Sequence, residues 1–208
     1  MADSSRAGSG REPGSGADLR DEPAAYEVLS SDIVYRGHVW DVRHDTVRYG
    51  DGEIVRDYVD HPGAAAVVAL DDAGRMLMIQ QYRHPIRMRD WEIPAGLLDV
   101  EGEPPADAAR RELAEEADLV AARWEPLVSF HSSPGGNDEV LHVFLARGLS
   151  DAPEVHARAE EESDIRLAWV PVDDVITGIL DGRLRNGPLA VGAFAAAERL
   201  RRAGAAGS

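Results

Sequence analysis

The chain has 208 residues, 38 of them Asp or Glu against 22 basic residues, a formal charge of −16 and no cysteine. That length gives one full-sized domain or two small ones, and the lack of cysteine excludes a disulfide framework, a thiolate metal site and a cysteine nucleophile, pointing to a reducing, cytoplasmic home. All 22 basic residues are arginine, which excludes lysine-dependent phosphate loops and Schiff-base chemistry, while the acidic surplus argues against nucleic acid as a partner.

Residues 1–25 are rich in Gly, Ser, Ala, Pro and charge, with Leu19 as the single large apolar residue after Met1; they cannot offset the entropy of ordering and are expected to be a disordered tail. From Tyr26 the pattern becomes β-rich, with runs at 26–29, 32–34, 39–47 and 53–60 and a turn sequence, Tyr49-Gly50-Asp51-Gly52, between the last two. The apolar run 64–70 ends in Asp71-Asp72-Ala73-Gly74 and is followed by 76–82, which together read as a second hairpin of core strands. Pro104-Pro105 opens a helix predicted over 106–117. Further strands are expected at 125–130, 140–146 and 166–170, then helices at 172–181 and 189–202, with Asn186 near the start of the second. This order lacks regular βα alternation and predicts a mixed α+β domain over 61–203, preceded by the β-rich segment 26–60. The longest apolar runs, 64–70 and 189–197, are far shorter than a bilayer span, and the N-terminus has no signal-peptide pattern, so no membrane partner is expected.

The informative stretch runs from Gly96 to Leu119. On a helix, Glu112, Glu115 and Glu116 stand at i, i+3 and i+4 and share one face, with Ala108 and Ala109 a turn earlier leaving room beside them. Leu113, Ala106 and Ala117 fall on a neighbouring stripe suited to packing on a sheet. An acidic helix face alone is usually solvated surface. Three carboxylates with no Cys or His nearby, if they hold a cation, suit Mg2+ or Mn2+ better than zinc.

The order of residue types decides between these readings. Gly96, Glu103 and the run Arg111-Glu112-Leu113-Ala114-Glu115-Glu116, closed by Leu119, resemble the Nudix box: Gly, five residues, Glu, seven residues, then R-E-U-x-E-E-x-G-U with U aliphatic. Two departures stand out: six residues separate Gly96 from Glu103, and Asp118 replaces the late glycine. The extra residue falls in a loop, where it is easily absorbed. Asp118 is more costly, since a helix-ending glycine commonly takes the left-handed conformation and an acid there opposes the helix dipole. The flanks are similar to the ADP-ribose pyrophosphatase branch of the family: Trp91-Glu92-Ile93-Pro94-Ala95-Gly96 leads into the box, and Pro134 lies fifteen residues beyond Leu119.

The resemblance implies an α/β/α sandwich with a mixed sheet, a homodimer formed through residues 26–60, and Mg2+-dependent attack of water on the diphosphate of ADP-ribose, giving AMP and ribose 5-phosphate. Mn2+ is an expected substitute for Mg2+. Glu112, Glu115 and Glu116 become the catalytic metal ligands, joined by the Ala95 carbonyl, with Gly96, Glu103 and Arg111 structural in the motif. Glu161 or Glu162 is placed as general base or further ligand, and Arg56, Arg83 and Glu139 as substrate contacts, Arg56 and Glu139 reaching from the partner subunit. Alternatives are hydrolysis of GDP-mannose or another nucleoside diphosphate sugar, or a Nudix-fold sensor that binds ADP-ribose without cleaving it. Damaged glutamates would favour the sensor, and here they are intact.

Overall fold

A computed structural model describes residues 19–154 and 164–206. Strands β1 (Val28–Arg36), β2 (Asp41–Tyr49) and β3 (Gly52–Asp60) form an antiparallel sheet in that order. The β2–β3 turn forms at the expected place, with Gly50 at φ 61° and Tyr49 paired with Gly52. The two short runs expected at 26–29 and 32–34 are one strand instead: irregularities between Val28 and Ser30 and between Ile33 and Tyr35 let it continue through Ser30-Ser31. Much of this sheet faces outward, leaving Val28, Val34, Tyr35 and Val55 exposed. Of the tail expected over 1–25, residues 1–18 lie outside the described residues, and residues 19–25 carry no regular structure.

The second sheet runs β10-β5-β4-β9-β8, where β4 is Ala64–Leu70, β5 Arg75–Arg83, β8 Leu119–His131, β9 Val140–Asp151 and β10 Arg166–Pro171. Two short strands, β6 (Met88–Glu92) and β7 (Ala95–Leu97), pair with β5 and β4. The β4–β9 pairing is parallel and the others are antiparallel, so the sheet is mixed. The second hairpin is therefore only half as expected. Its turn closes, with Asp71 Oδ1 accepting the amides of Ala73 and Arg75, but beyond Leu70↔Met76 the strands part as β4 takes β7 and β9 for partners.

Every residue of β4 is buried, and its alternating side chains feed two cores. Ala65, Val67 and Ala69 pack with Ala108, Ala109, Leu113 and Ala117 of α1 (Pro105–Ala117). Ala66, Val68 and Leu70 pack with Val175 of α2 (Val172–Leu180) and Leu189 and Ala193 of α3 (Gly187–Ala206). The result is an α/β/α sandwich. Fully burying a Leu113-sized side chain contributes about 1.5–3 kcal/mol, which sets the scale of what fixes α1 on the sheet. On the other face α3 approaches so closely that a Cβ at Gly192 would lie 2.9 Å from Val68 Cγ2. Asn186 caps α3, its Oδ1 accepting the Leu189 amide at 2.9 Å. Among the described residues no helix is long and apolar enough to cross a membrane.

The two sheets meet at a compact junction. The Val59 amide donates to the Gly136 carbonyl at 3.0 Å, the His61 amide to Asp138 Oδ1 at 2.9 Å, and Trp40 stacks on His61 with ring centroids 4.1 Å apart.

Candidate active site

Helix α1 starts with Pro105 in its first turn and Asp107 beside its positive end, and it stops where Asp118 turns left-handed at φ 54°, ψ 35°. That conformation is the one glycine adopts most cheaply. The helix spacing separates the three glutamates more than a single shared face suggests. Glu112 and Glu116, one turn apart, are 8% and 3% exposed, whereas the Glu115 side chain is 38% exposed. Ala108 and Ala109 do not leave space beside the carboxylates; both are fully buried in the core against β4.

Glu112 and Glu116 reach strand β7, which β4 holds through Ala65↔Gly96 and Ala66↔Ala95. The Ala95 amide donates to Glu116 Oε2 at 2.9 Å. Gly96 sits directly beneath the Glu112 carboxylate, where a Cβ would fall 2.0 Å from Oε1. Gly96 is thus needed for close approach, its box position matched to a carboxylate and not to a turn.

Arg111 gathers the remaining acids. It donates through Nε and one terminal nitrogen to the two Glu103 oxygens at 3.3 and 3.0 Å, and through the other to Glu112 Oε1 at 2.5 Å and Glu115 Oε2 at 3.2 Å. These contacts, the Glu103 hydrogen bonds foremost, hold its guanidinium more firmly protonated than usual despite partial burial. Arg111 therefore ties the loop before α1 to the acidic edge of the helix.

Arg83, at the end of β5, makes a bidentate pair with Glu92 of β6, both contacts 2.7 Å, and the Glu92 side chain is only 6% exposed. Arg83 lines a cleft of about 290 Å³ together with Gln81, Asp99, Glu112, Glu115 and Glu116. Sequence reasoning missed Gln81, Glu92 and Asp99. Gln81, 4% exposed among the core residues of β5, stands two residues from Arg83, and that period-two relation was the available signal.

The remaining expected residues lie elsewhere. Arg56 is exposed on β3 and donates to the Val55 carbonyl at 2.7 Å. Glu139 lies 3.5 Å from His61 Nε2 at the junction of the sheets. Neither lines the cleft within one chain. Glu161 and Glu162 lie outside the described residues; just after them, Asp164 pairs with Arg89 near the start of β6. Trp91, in the segment leading into the box, packs against the core on the face away from α1.

The cleft's donors are carboxylate, amide and carbonyl oxygens with no sulfur or imidazole, a set that fits a hard divalent cation. As the side chains stand, no three Asp, Glu or His residues converge closely enough to hold one among the described residues. Arg111 and the Ala95 amide engage the glutamate oxygens instead.

Comparison with known proteins agrees with this construction. The NUDIX domain family matches residues 60–190. An ADP-ribose pyrophosphatase from Mycobacterium tuberculosis is 42% identical over 173 residues, covering 82% of each chain. A methanol dehydrogenase activator from Bacillus methanolicus is 35% identical over 159 residues, covering 76% of this chain and 85% of its own. A solved structure described as an ADP compounds hydrolase superimposes with a TM-score of 0.74 at 18% identity, over 89% of this chain and 99% of the other, and shares the fold. The chain therefore belongs to the Nudix family and is a Nudix pyrophosphohydrolase.

Proposed function

We propose that this chain hydrolyses ADP-ribose to AMP and ribose 5-phosphate with Mg2+, Mn2+ being able to substitute, as a cytoplasmic homodimer associated through its N-terminal sheet. The observation that carries the reading is the 42% identity to an ADP-ribose pyrophosphatase over 82% of both chains, joined to a box whose glutamates are intact and sit over Gly96 and Ala95.

Glu112, Glu115 and Glu116, with the Ala95 carbonyl, would hold the metal, which when bound neutralises diphosphate charge and makes water more acidic. The chain's own residues do the rest. Arg83 lines the cleft and exchanges part of its contact with Glu92 for a phosphate oxygen. Arg111 keeps the acidic edge of α1 in place through Glu103. Glu161 or Glu162 accepts the proton of the attacking water, whose oxygen bonds to phosphorus as the bond to the bridging oxygen breaks. Arg56 and Glu139 contact substrate across the dimer. The outward apolar side chains of β1 to β3, Val28, Val34, Tyr35 and Val55 among them, support pairing with a second copy.

The test is to incubate the purified chain with Mg2+ and a panel of ADP-ribose, GDP-mannose, NADH, diadenosine polyphosphates and nucleoside triphosphates, identifying products. Preferential release of AMP from ADP-ribose, lost in Glu116→Gln, is the expected result. Cleavage of triphosphates alone would sink the substrate assignment, and ADP-ribose binding without turnover would identify a sensor.

A further inference from the structure

In a lysine-free chain every cation is an arginine, and most described arginines stand beside a carboxylate. Arg123 and Arg147 do not: among the described residues neither has an Asp or Glu within salt-bridge distance. They are direct cross-strand partners on β8 and β9, an arrangement in which like charges repel. The Arg147 Nε is buried and makes no hydrogen bond. Such a donor is costly to leave unsatisfied, and a nearby guanidinium makes it costlier. Two cavities, of about 190 and 240 Å³, are each lined by both arginines.

This place is remote from the catalytic cleft. Arg147 pairs with Leu70, the last residue of β4, whereas the box strand pairs with Ala64, Ala65 and Ala66 at its other end. At a rise of about 3.3 Å per residue, the two lie roughly 20 Å apart along the strand. The neighbouring carboxylates are largely engaged: Asp71 with Arg75 and Glu125 with Arg199. Asp72, at the turn, lines the larger cavity and is exposed.

We infer that Arg123 and Arg147 form a second anion site, built for a phosphate group carried as inorganic phosphate or a small phosphomonoester. Two planar guanidinium groups match the oxygens of a doubly charged phosphate, which relieves their mutual repulsion and gives the buried Nε an acceptor. The cavities have room for a small group esterified to that phosphate.

The experiment uses the full chain without Mg2+, following thermal unfolding against sodium phosphate, with sodium chloride at matched ionic strength as the control. Wild type should gain about 3–5 °C in Tm when phosphate reaches ten times its Kd. The gain should vanish in R123Q/R147Q and persist in R83Q, which alters the catalytic cleft instead. R147E turns the cross-strand pair into an opposite-charge pair; its Tm without phosphate should exceed that of wild type, and its response to phosphate should be absent. Ribose 5-phosphate giving a larger shift than inorganic phosphate assigns the site to phosphomonoesters, and equal shifts assign it to the free ion. A gain that survives in R123Q/R147Q, that disappears only in R83Q, or that wild type never shows overturns the inference.

Discussion

The carboxylate of Glu112 lies against the backbone of Gly96, so that a Cβ at residue 96 would fall 2.0 Å from Oε1 and 2.1 Å from Cδ. The obstructing atoms end a flexible side chain, and Gly96 has no left-handed conformation to preserve. Gly96→Ala should therefore cost little stability, under about 1 kcal/mol, while displacing Glu112 and lowering kcat by about 100-fold. Steady-state kinetics and Tm measured on one preparation separate the two effects. Loss of fold in step with loss of activity would show that Gly96 serves packing, not the carboxylate.

The Arg83–Glu92 pair couples an exposed cation to a buried acid, with side chains 42% and 6% exposed. Arg83→Gln leaves the acid without its bidentate partner, and a loss of about 2 kcal/mol is expected, reduced from the fully buried case because Arg83 reaches solvent. Adding Glu92→Gln should restore part of that loss. Urea denaturation of both single variants and the double variant gives the coupling. Effects that add within about 0.5 kcal/mol would show that the pair is not a unit.

Asp118 takes the left-handed position at the end of α1, φ 54°, where it meets both a backbone penalty and the negative end of the helix dipole. Asp118→Gly should raise Tm by about 2–4 °C with kcat unchanged. Asp118→Asn, which removes the charge but keeps a side chain, should fall between. An unchanged Tm in Asp118→Gly would refute the cost assigned to this residue.

The helix that carries the site was legible because its signals are local: Pro105 at its start, glutamates one turn apart and Leu113 on the buried stripe all lie within thirteen residues. The short strands that complete the cleft beside it were not. Strands β6 and β7 have five and three residues, too few for a period-two pattern, and Met88-Arg89-Asp90-Trp91-Glu92 owes its strand to pairing with β5. The parting of β4 from β5 is likewise a competition among strands that no local window records. Arg83 read as a substrate contact, and its pairing with Glu92, nine residues on, depends on the register of β5 with β6. Ala108 and Ala109 looked like open space because small residues fit both a cleft and a tightly packed core, and the closeness of β4 decides for the core.

The parallel pairing of β4 with β9 also shapes how the chain acquires its fold. Ala64 must wait for Leu141, its partner in the finished sheet, so during synthesis the segment Ala-Ala-Ala-Val-Val-Ala-Leu emerges several seconds before its neighbour exists. Pairing over such a separation is slow, and an uncharged apolar strand left open in that interval is prone to associate with other nascent chains. Asp71 and Asp72, immediately after it, act as charged gatekeepers in this interval. Part of the chain's acidity thus guards the route to the folded state.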